Sequence, residues 1–213
     1  MTEEGVGRII TSRDCVDEGA AWLASHDIRF AQALEQTGPL PLRLRKDGFA
    51  AVLGAIVSQQ VSVASARAIW GRLDDAGLTG PRKIKWASDD DLRACGMSRQ
   101  KIRYARELAA AKIRFPALRD SPTDEVIETL IIVPGIGRWT AEIYAMFSLG
   151  RADVFAPGDL ALQEAARMLF DLEARPSEKE MRRMSEDWSP WRGVAARLLW
   201  AYYHVEKNRE GIR

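Results

Sequence analysis

The sequence predicts an all-α protein, and three observations carry that reading. Apolar residues recur at spacings of three and four through most of the 213 residues. No stretch alternates apolar and polar residues over the length of a strand. Short clusters of Gly, Pro, Ser and Asp separate the periodic segments, which suits helix caps and turns. The periodic segments number about ten helices, and they are expected to form two lobes.

In chain order, residues 1–12 have little apolar periodicity and are expected to be loose. From Arg13 to Gln36, Val16, Ala20, Leu23, Ile28, Phe30, Ala31 and Leu34 mark two helices broken near Ser25-His26-Asp27. His26 fits a capping or surface position. Gly38-Pro39-Leu40-Pro41 reads as a linker. Phe49–Val57 and Val61–Leu73 are apolar helices separated by Ser58-Gln59-Gln60. Two adjacent glutamines in an apolar run fit either a helix cap that satisfies local backbone groups or a functional position. Trp70 and Trp86 are expected in the core. Asp89–Cys95 and Gln100–Ala111 are two further helices, with Ser98 as N-cap of the second. The basic run Arg99, Lys101, Arg103, Arg106 is open to two readings: a solvated face, or a helix start that contacts phosphate. Ser121–Asp124 opens the next helix, whose body is Glu125–Ile132.

Ile131–Gln163 organises the rest of the chain. Val133-Pro134-Gly135-Ile136-Gly137 allows a sharp turn and close backbone approach to a ligand. The helix Arg138–Leu149 follows; its first amides are a ready phosphate site. Pro157-Gly158 precedes Asp159, which opens the helix to Phe170. Ser177–Asp187 is then helical, and the last helix runs from about Pro190, suited to its first turn, to Glu206.

The bulk numbers exclude several classes. Hydrophobic residues make up 46% and charged residues 29%, and the net charge is +1. A DNA-binding role therefore needs the 31 Lys and Arg segregated from the 30 Asp and Glu. Cys15 and Cys95 make no metal or disulfide pattern. No targeting signal or membrane-length apolar run is present, so the expected location is cytoplasmic.

Pro134, Gly135, Ile136, Gly137, Trp139, Thr140 and Ala141, then Asp153-Val154-Phe155, Pro157 and Asp159, resemble the helix-hairpin-helix DNA glycosylases. The match is nearest to the DNA-3-methyladenine glycosylase II (AlkA) type and extends roughly from Phe49 to Tyr203. The sequence shows no four-Cys cluster of the kind some relatives carry, and a compact form without the N-terminal sheet domain of others is expected. The resemblance implies one lobe built from residues 1–35 plus 152–213, another from 36–151 carrying the hairpin, and an active-site cleft between them. It implies a monomer that flips an alkylated base of 3-methyladenine type out of double-stranded DNA and hydrolyses its N-glycosidic bond, leaving an abasic site. Asp159 matches the catalytic carboxylate, which stabilises positive charge developing on the sugar. An ordinary helix cap is its competing role. Trp139, Trp200 and Ile143 match base-pocket positions, with Ile143 standing where an aromatic is expected. Aromatic walls suit a cationic base through cation–π attraction, on the order of 0.5–2 kcal/mol. Gly135, Ile136, Gly137, Arg138, Thr140, Gln60, Ser98 and Lys101 match DNA-binding positions, Gln60 being polar where the family usually inserts an apolar side chain. Trp139 stands where bifunctional relatives carry the lyase Lys, so strand cleavage is not expected. No cofactor is required, although backbone carbonyls of Val133 and Ile136 are candidate ligands for Na+ or K+. Two alternatives stay open: a non-catalytic DNA-binding module, and a glycosylase for a deaminated or oxidised base.

Overall fold

A computed structural model describes residues 5–210, which form twelve α-helices. They are α1 Arg13–His26, α2 Ile28–Thr37, α3 Phe49–Ser58, α4 Val63–Asp75, α5 Pro81–Trp86, α6 Asp89–Ala94, α7 Arg99–Ala110, α8 Thr123–Ile131, α9 Arg138–Phe147, α10 Leu160–Leu169, α11 Glu178–Met184 and α12 Arg192–Glu210. Short 3-10 turns occupy Phe115–Arg119 and Ser185–Trp188. The described residues contain no strand, only an isolated antiparallel bridge between Ile9 and Arg151. None of their helices is long and apolar enough to cross a membrane. The helix beyond the sequence reading is α5, whose single turn and a half is too short to show a period; Pro81 at its first position starts it. The last helix begins at Arg192 rather than Pro190.

The chain divides into two compact units, Met1–Leu44 with Ala145–Arg213, and Arg45–Tyr144. The expected boundaries at 35/36 and 151/152 thus move to 44/45 and 144/145, the latter inside α9.

In the first unit α12 packs on α1, α2 and α10. Trp188 centres an aromatic cluster, with ring centroids 5.2 Å from Phe155, 5.5 Å from Phe30 and 5.9 Å from Phe170. The expectation of a loose start does not hold for residues 5–12; residues 1–4 lie outside the described residues. Ile10 is buried, its amide donates to the Gly150 carbonyl at 2.7 Å, and the Ala152 amide donates to the Arg8 carbonyl at 2.9 Å. Two isoleucines are too few to show a period, yet enough to pin the segment by burial and backbone pairing.

In the second unit α3 packs on α4 and α7, and α5 and α6 pack on α7. Val52, Leu53, Ile56 and Val57 of α3 are buried, with Leu73, Ile84, Leu92, Ile102, Val126 and Leu130 from its neighbours. Trp86, expected in the core, is 79% exposed, with the Lys85 ammonium over its ring. Ile84, two residues earlier on the short α5, takes the buried position instead.

Candidate functional site

The hairpin between α8 and α9 is built on Gly135. Its φ is 90°, and a Cβ there would lie 2.3 Å from the Tyr104 ring. Tyr104 is held in turn by Gln100, whose amide donates to its hydroxyl at 2.7 Å. Gly137, expected to share that burden, has ordinary φ and open space around its Cβ position. The turn therefore requires Gly135, while Gly137 leaves room for something to approach. Gln59 fixes the hairpin from α3, its side-chain amide donating to the Gly135 carbonyl at 2.8 Å. Ile136 is buried and its amide donates to the Val133 carbonyl at 3.0 Å, so it braces the turn rather than contacting a ligand through its side chain. The amides of the first turn of α9 have no acceptor within their own helix. Arg138 lies exposed beside them, in a long 3.8 Å pair with Glu128.

Gln60, Ser98, Lys101, Gly135, Ile136 and Gly137 line one open cavity of about 570 Å³ with Gln59 and Tyr104. Gln60 is exposed at φ 55°, a left-handed position that turns α3 toward α4 and leaves its side chain in solvent. Ser98 caps α7, accepting from the Lys101 amide at 3.3 Å. Lys101, expected as a DNA contact, is 8% exposed, and its ammonium is engaged within the protein, donating to the Val57 carbonyl at 2.6 Å. The last carbonyls of α3 lack helical partners and carry the negative end of its dipole, which draws in the cation. Burial pushes this lysine below its usual range. Arg106 is similarly engaged, donating to the Ala87 carbonyl at 2.9 Å and to Asp89 at 2.7 Å. Arg99 and Arg103 remain the exposed members of the basic run.

Trp139, Thr140 and Ile143 line a second cavity, of about 520 Å³, against α3 and α4. Trp139 is 46% exposed, whereas Thr140 is buried at 8%, so the Thr140 side chain forms the cavity wall instead of a surface contact. Tyr144, one step round α9, is turned into the core. Its hydroxyl accepts from the Gly48 amide at 3.0 Å, and burial pushes it up to about 12.

Asp159 is the N-cap of α10. Its Oδ1 accepts from the amides of Ala161 at 3.0 Å and Leu162 at 3.1 Å, and from the Trp200 indole Nε1–H at 3.2 Å. Capping and a fixed carboxylate are thus one arrangement, not rival roles. The turn before it is tied by the buried Gln163, whose amide donates to the Pro157 carbonyl at 2.8 Å. Trp200 is half-buried, its ring 5.8 Å from that of Phe147. Phe147 also carries the Arg197 guanidinium over its face at 4.8 Å. Burial lowers Arg197 to about 10, and its donation to the Gly193 carbonyl at 2.6 Å and to the Leu42 carbonyl at 3.2 Å holds it there. Trp191, just before α12, is by contrast buried at 3%. Asp153, the other carboxylate of the stretch, is engaged by Arg192 at 2.6 and 2.9 Å and by Ser189 at 2.8 Å, a structural tie.

Sequence reasoning missed Gln59, Tyr104, Phe147, Gln163 and Arg197, which hold the site residues. Gln59 alone carried a signal, as a polar residue at the end of an apolar helix.

A glycine hairpin leading into a helix start, followed by a carboxylate fixed at the next helix cap, defines a class. The chain belongs to the HhH-GPD superfamily of base excision DNA repair proteins, whose model matches residues 53–190. Among individual proteins, it is 33% identical to DNA-3-methyladenine glycosylase 1 of Schizosaccharomyces pombe, over 73% of this chain and 72% of that one. It is 29% identical to DNA-3-methyladenine glycosylase 2 of Escherichia coli, over 72% of this chain and 57% of that one. A solved structure of the S. pombe 3-methyladenine DNA glycosylase in complex with abasic DNA is similar at a TM-score of 0.76 and 30% identity, covering 86% of this chain and 95% of that one. The DNA-3-methyladenine glycosidase of Bacillus halodurans is similar at 0.78 and 33% identity, covering 87% and 88%.

Proposed function

We propose that this protein is a DNA glycosylase that flips an alkylated base out of duplex DNA and hydrolyses its N-glycosidic bond, leaving an abasic site. The observation that carries the reading is the Asp159 carboxylate, oriented by two backbone amides and the Trp200 indole. Departure of the base leaves positive charge on the sugar. A preoriented carboxylate stabilises that charge and orients or deprotonates the attacking water. A cationic alkylated purine is already a good leaving group, so one carboxylate suffices. The DNA-3-methyladenine glycosylase relatives support the choice of lesion.

The first-turn amides of α9 and the space beside Gly137 suit a DNA phosphate. Gln60, exposed at the turn between α3 and α4, suits the gap left by the flipped base. Trp200, whose indole already meets Asp159, supplies aromatic surface for that base. The reaction stops at the abasic site, because Trp139 offers no amine for Schiff-base attack. Na+ or K+ fits the neutral oxygen donors of the hairpin: the Val133 carbonyl already accepts the Ile136 amide, but a carbonyl has a second lone pair, and the Ile136 carbonyl would join it.

Base release from duplexes carrying methylated, deaminated or oxidised bases tests the reading. Release of methylated purines supports it; release of the deaminated or oxidised base alone, or of none, overturns it.

A further inference from the structure

Arg197 is a buried cation that the proposed function does not use. It is 1% exposed, and its hydrogen bonds go to backbone carbonyls, Gly193 at 2.6 Å and Leu42 at 3.2 Å. No carboxylate pairs with it among the described residues, and the charged neighbour it feels is Arg43, another cation. A buried charge without a counter-ion is costly, and a methionine would fill much the same space without that cost. Its surroundings show what the guanidinium does instead. Gly193, Arg197 and Trp200 fall on one face of α12, at spacings of four and three. Gly193 is itself fixed, its amide donating to the Ala152 carbonyl at 2.7 Å, so one anchor of Arg197 is tied down in turn. Phe147, the last residue of α9, lies against both of the other side chains. The guanidinium carbon stands 4.8 Å from its ring centre, and the Trp200 ring 5.8 Å away at 33°. Trp200 is only half-buried, so burial alone does not confine its ring. Its Nε1–H meets Asp159 Oδ1 at 3.2 Å, the long end of an N–H···O hydrogen bond, where a small tilt breaks the contact.

We infer that Arg197 is a positioning residue of the glycosylase: locked by the Gly193 and Leu42 carbonyls, it holds the Phe147 ring by its face, and Phe147 holds Trp200 with its indole N–H on Asp159. The inference rests on the proposed function and adds to it the group that keeps the carboxylate oriented. Cation–π attraction ties the guanidinium to the ring face in a way an apolar side chain does not. Arg197 acts through the two rings, and no bond is made or broken at it.

Single-turnover release of 3-methyladenine from methylated duplex DNA tests it, with thermal melting to confirm that each variant is folded. Arg197→Met should lower release about 10-fold, inside the roughly 100-fold that a misplacement of about 1 Å can cost. Arg197→Lys, which keeps a cation, should recover part of that loss. Trp200→Phe keeps a ring but removes the indole donor, and lowers release by itself. Adding Arg197→Met to Trp200→Phe should then lower release by less than about 2-fold more, because the contact that Arg197 maintains is already gone. Phe147→Leu, which removes the ring between them and leaves the carbonyl bonds of Arg197 in place, should behave like Arg197→Met on both backgrounds. It decides the matter by the same criteria if Arg197→Met does not fold. Parental release by folded Arg197→Met or Phe147→Leu overturns the inference while leaving the proposed function standing. Losses that multiply in the double variants, or a lysine variant no better than the methionine one, also overturn it, since they mark a packing role. A parent protein that releases no methylated base defeats the proposed function and the inference together.

Discussion

Replacing Gly135 by Ala puts the hairpin geometry to a quantitative test. Two costs add at this position. A non-glycine residue at φ 90° pays a left-handed backbone penalty of about 1–2 kcal/mol. The new methyl would also stand 2.3 Å from the Tyr104 ring, far inside the roughly 3.5–4 Å optimum for carbon contacts. The ring cannot swing away without giving up its 2.7 Å hydrogen bond from Gln100, so the overpacking cost should be the usual 1–3 kcal/mol or so. Together these give a destabilisation of about 2–5 kcal/mol, a large part of the roughly 5–15 kcal/mol that holds a domain folded. Urea unfolding at unchanged slope reads it directly. Combining Gly135→Ala with Tyr104→Ala separates the terms, because the contact cost disappears in the double variant while the backbone cost stays. Gly137→Ala, at ordinary φ in open space, should change stability by less than about 1 kcal/mol. Gly137→Val should nevertheless weaken binding to all duplexes alike, since it fills the space proposed for a phosphate. A Gly135→Ala protein as stable as the parent, or a Gly137→Val protein of parental DNA affinity, would refute the reasoning.

Lys101→Met keeps the stem but leaves the Val57 carbonyl without its donor, and should destabilise by about 1–3 kcal/mol while the salt dependence of DNA binding stays parental; a reduced salt slope would return Lys101 to the DNA interface. Gln60→Ala should slow excision from paired DNA more than from an already unpaired lesion, because unstacking costs a few kcal/mol; equal slowing on both substrates would make Gln60 structural. Borohydride trapping on lesion DNA should give no covalent adduct, and a robust adduct would show that an amine elsewhere serves as nucleophile.

What the sequence made legible was local. Helix periods, the Ser98 cap and the break at Asp27 depend on residues a few positions apart, and they appear where their spacing puts them. Asp159 at a helix start was legible for the same reason: Pro157-Gly158 breaks the chain just before it. What depends on distant partners was not. Lys101 looks like a surface cation until the end of α3 is brought to it, across 44 residues of chain. Trp70 and Trp86 were read alike from their apolar neighbours, yet Trp70 is half-buried and Trp86 is exposed, because burial depends on which helix packs on that face. Gly135 and Gly137 are chemically identical, and the left-handed φ of Gly135 together with the position of Tyr104 separates their tasks.

The central claim is that the Asp159 carboxylate acts on the sugar as the base leaves. Asp159→Asn tests it most directly, because asparagine keeps an oxygen to accept from Ala161, Leu162 and Trp200, and is as good a helix cap as aspartate. The variant should therefore fold and bind DNA at least as well as the parent, having lost a negative group near phosphates. Single-turnover release of alkylated bases from duplex DNA should nonetheless fall by at least about 100-fold, the scale of losing one electrostatic or acid–base contributor. Release at the parental rate by a folded, DNA-binding Asp159→Asn protein would contradict the account and leave Asp159 only a helix cap.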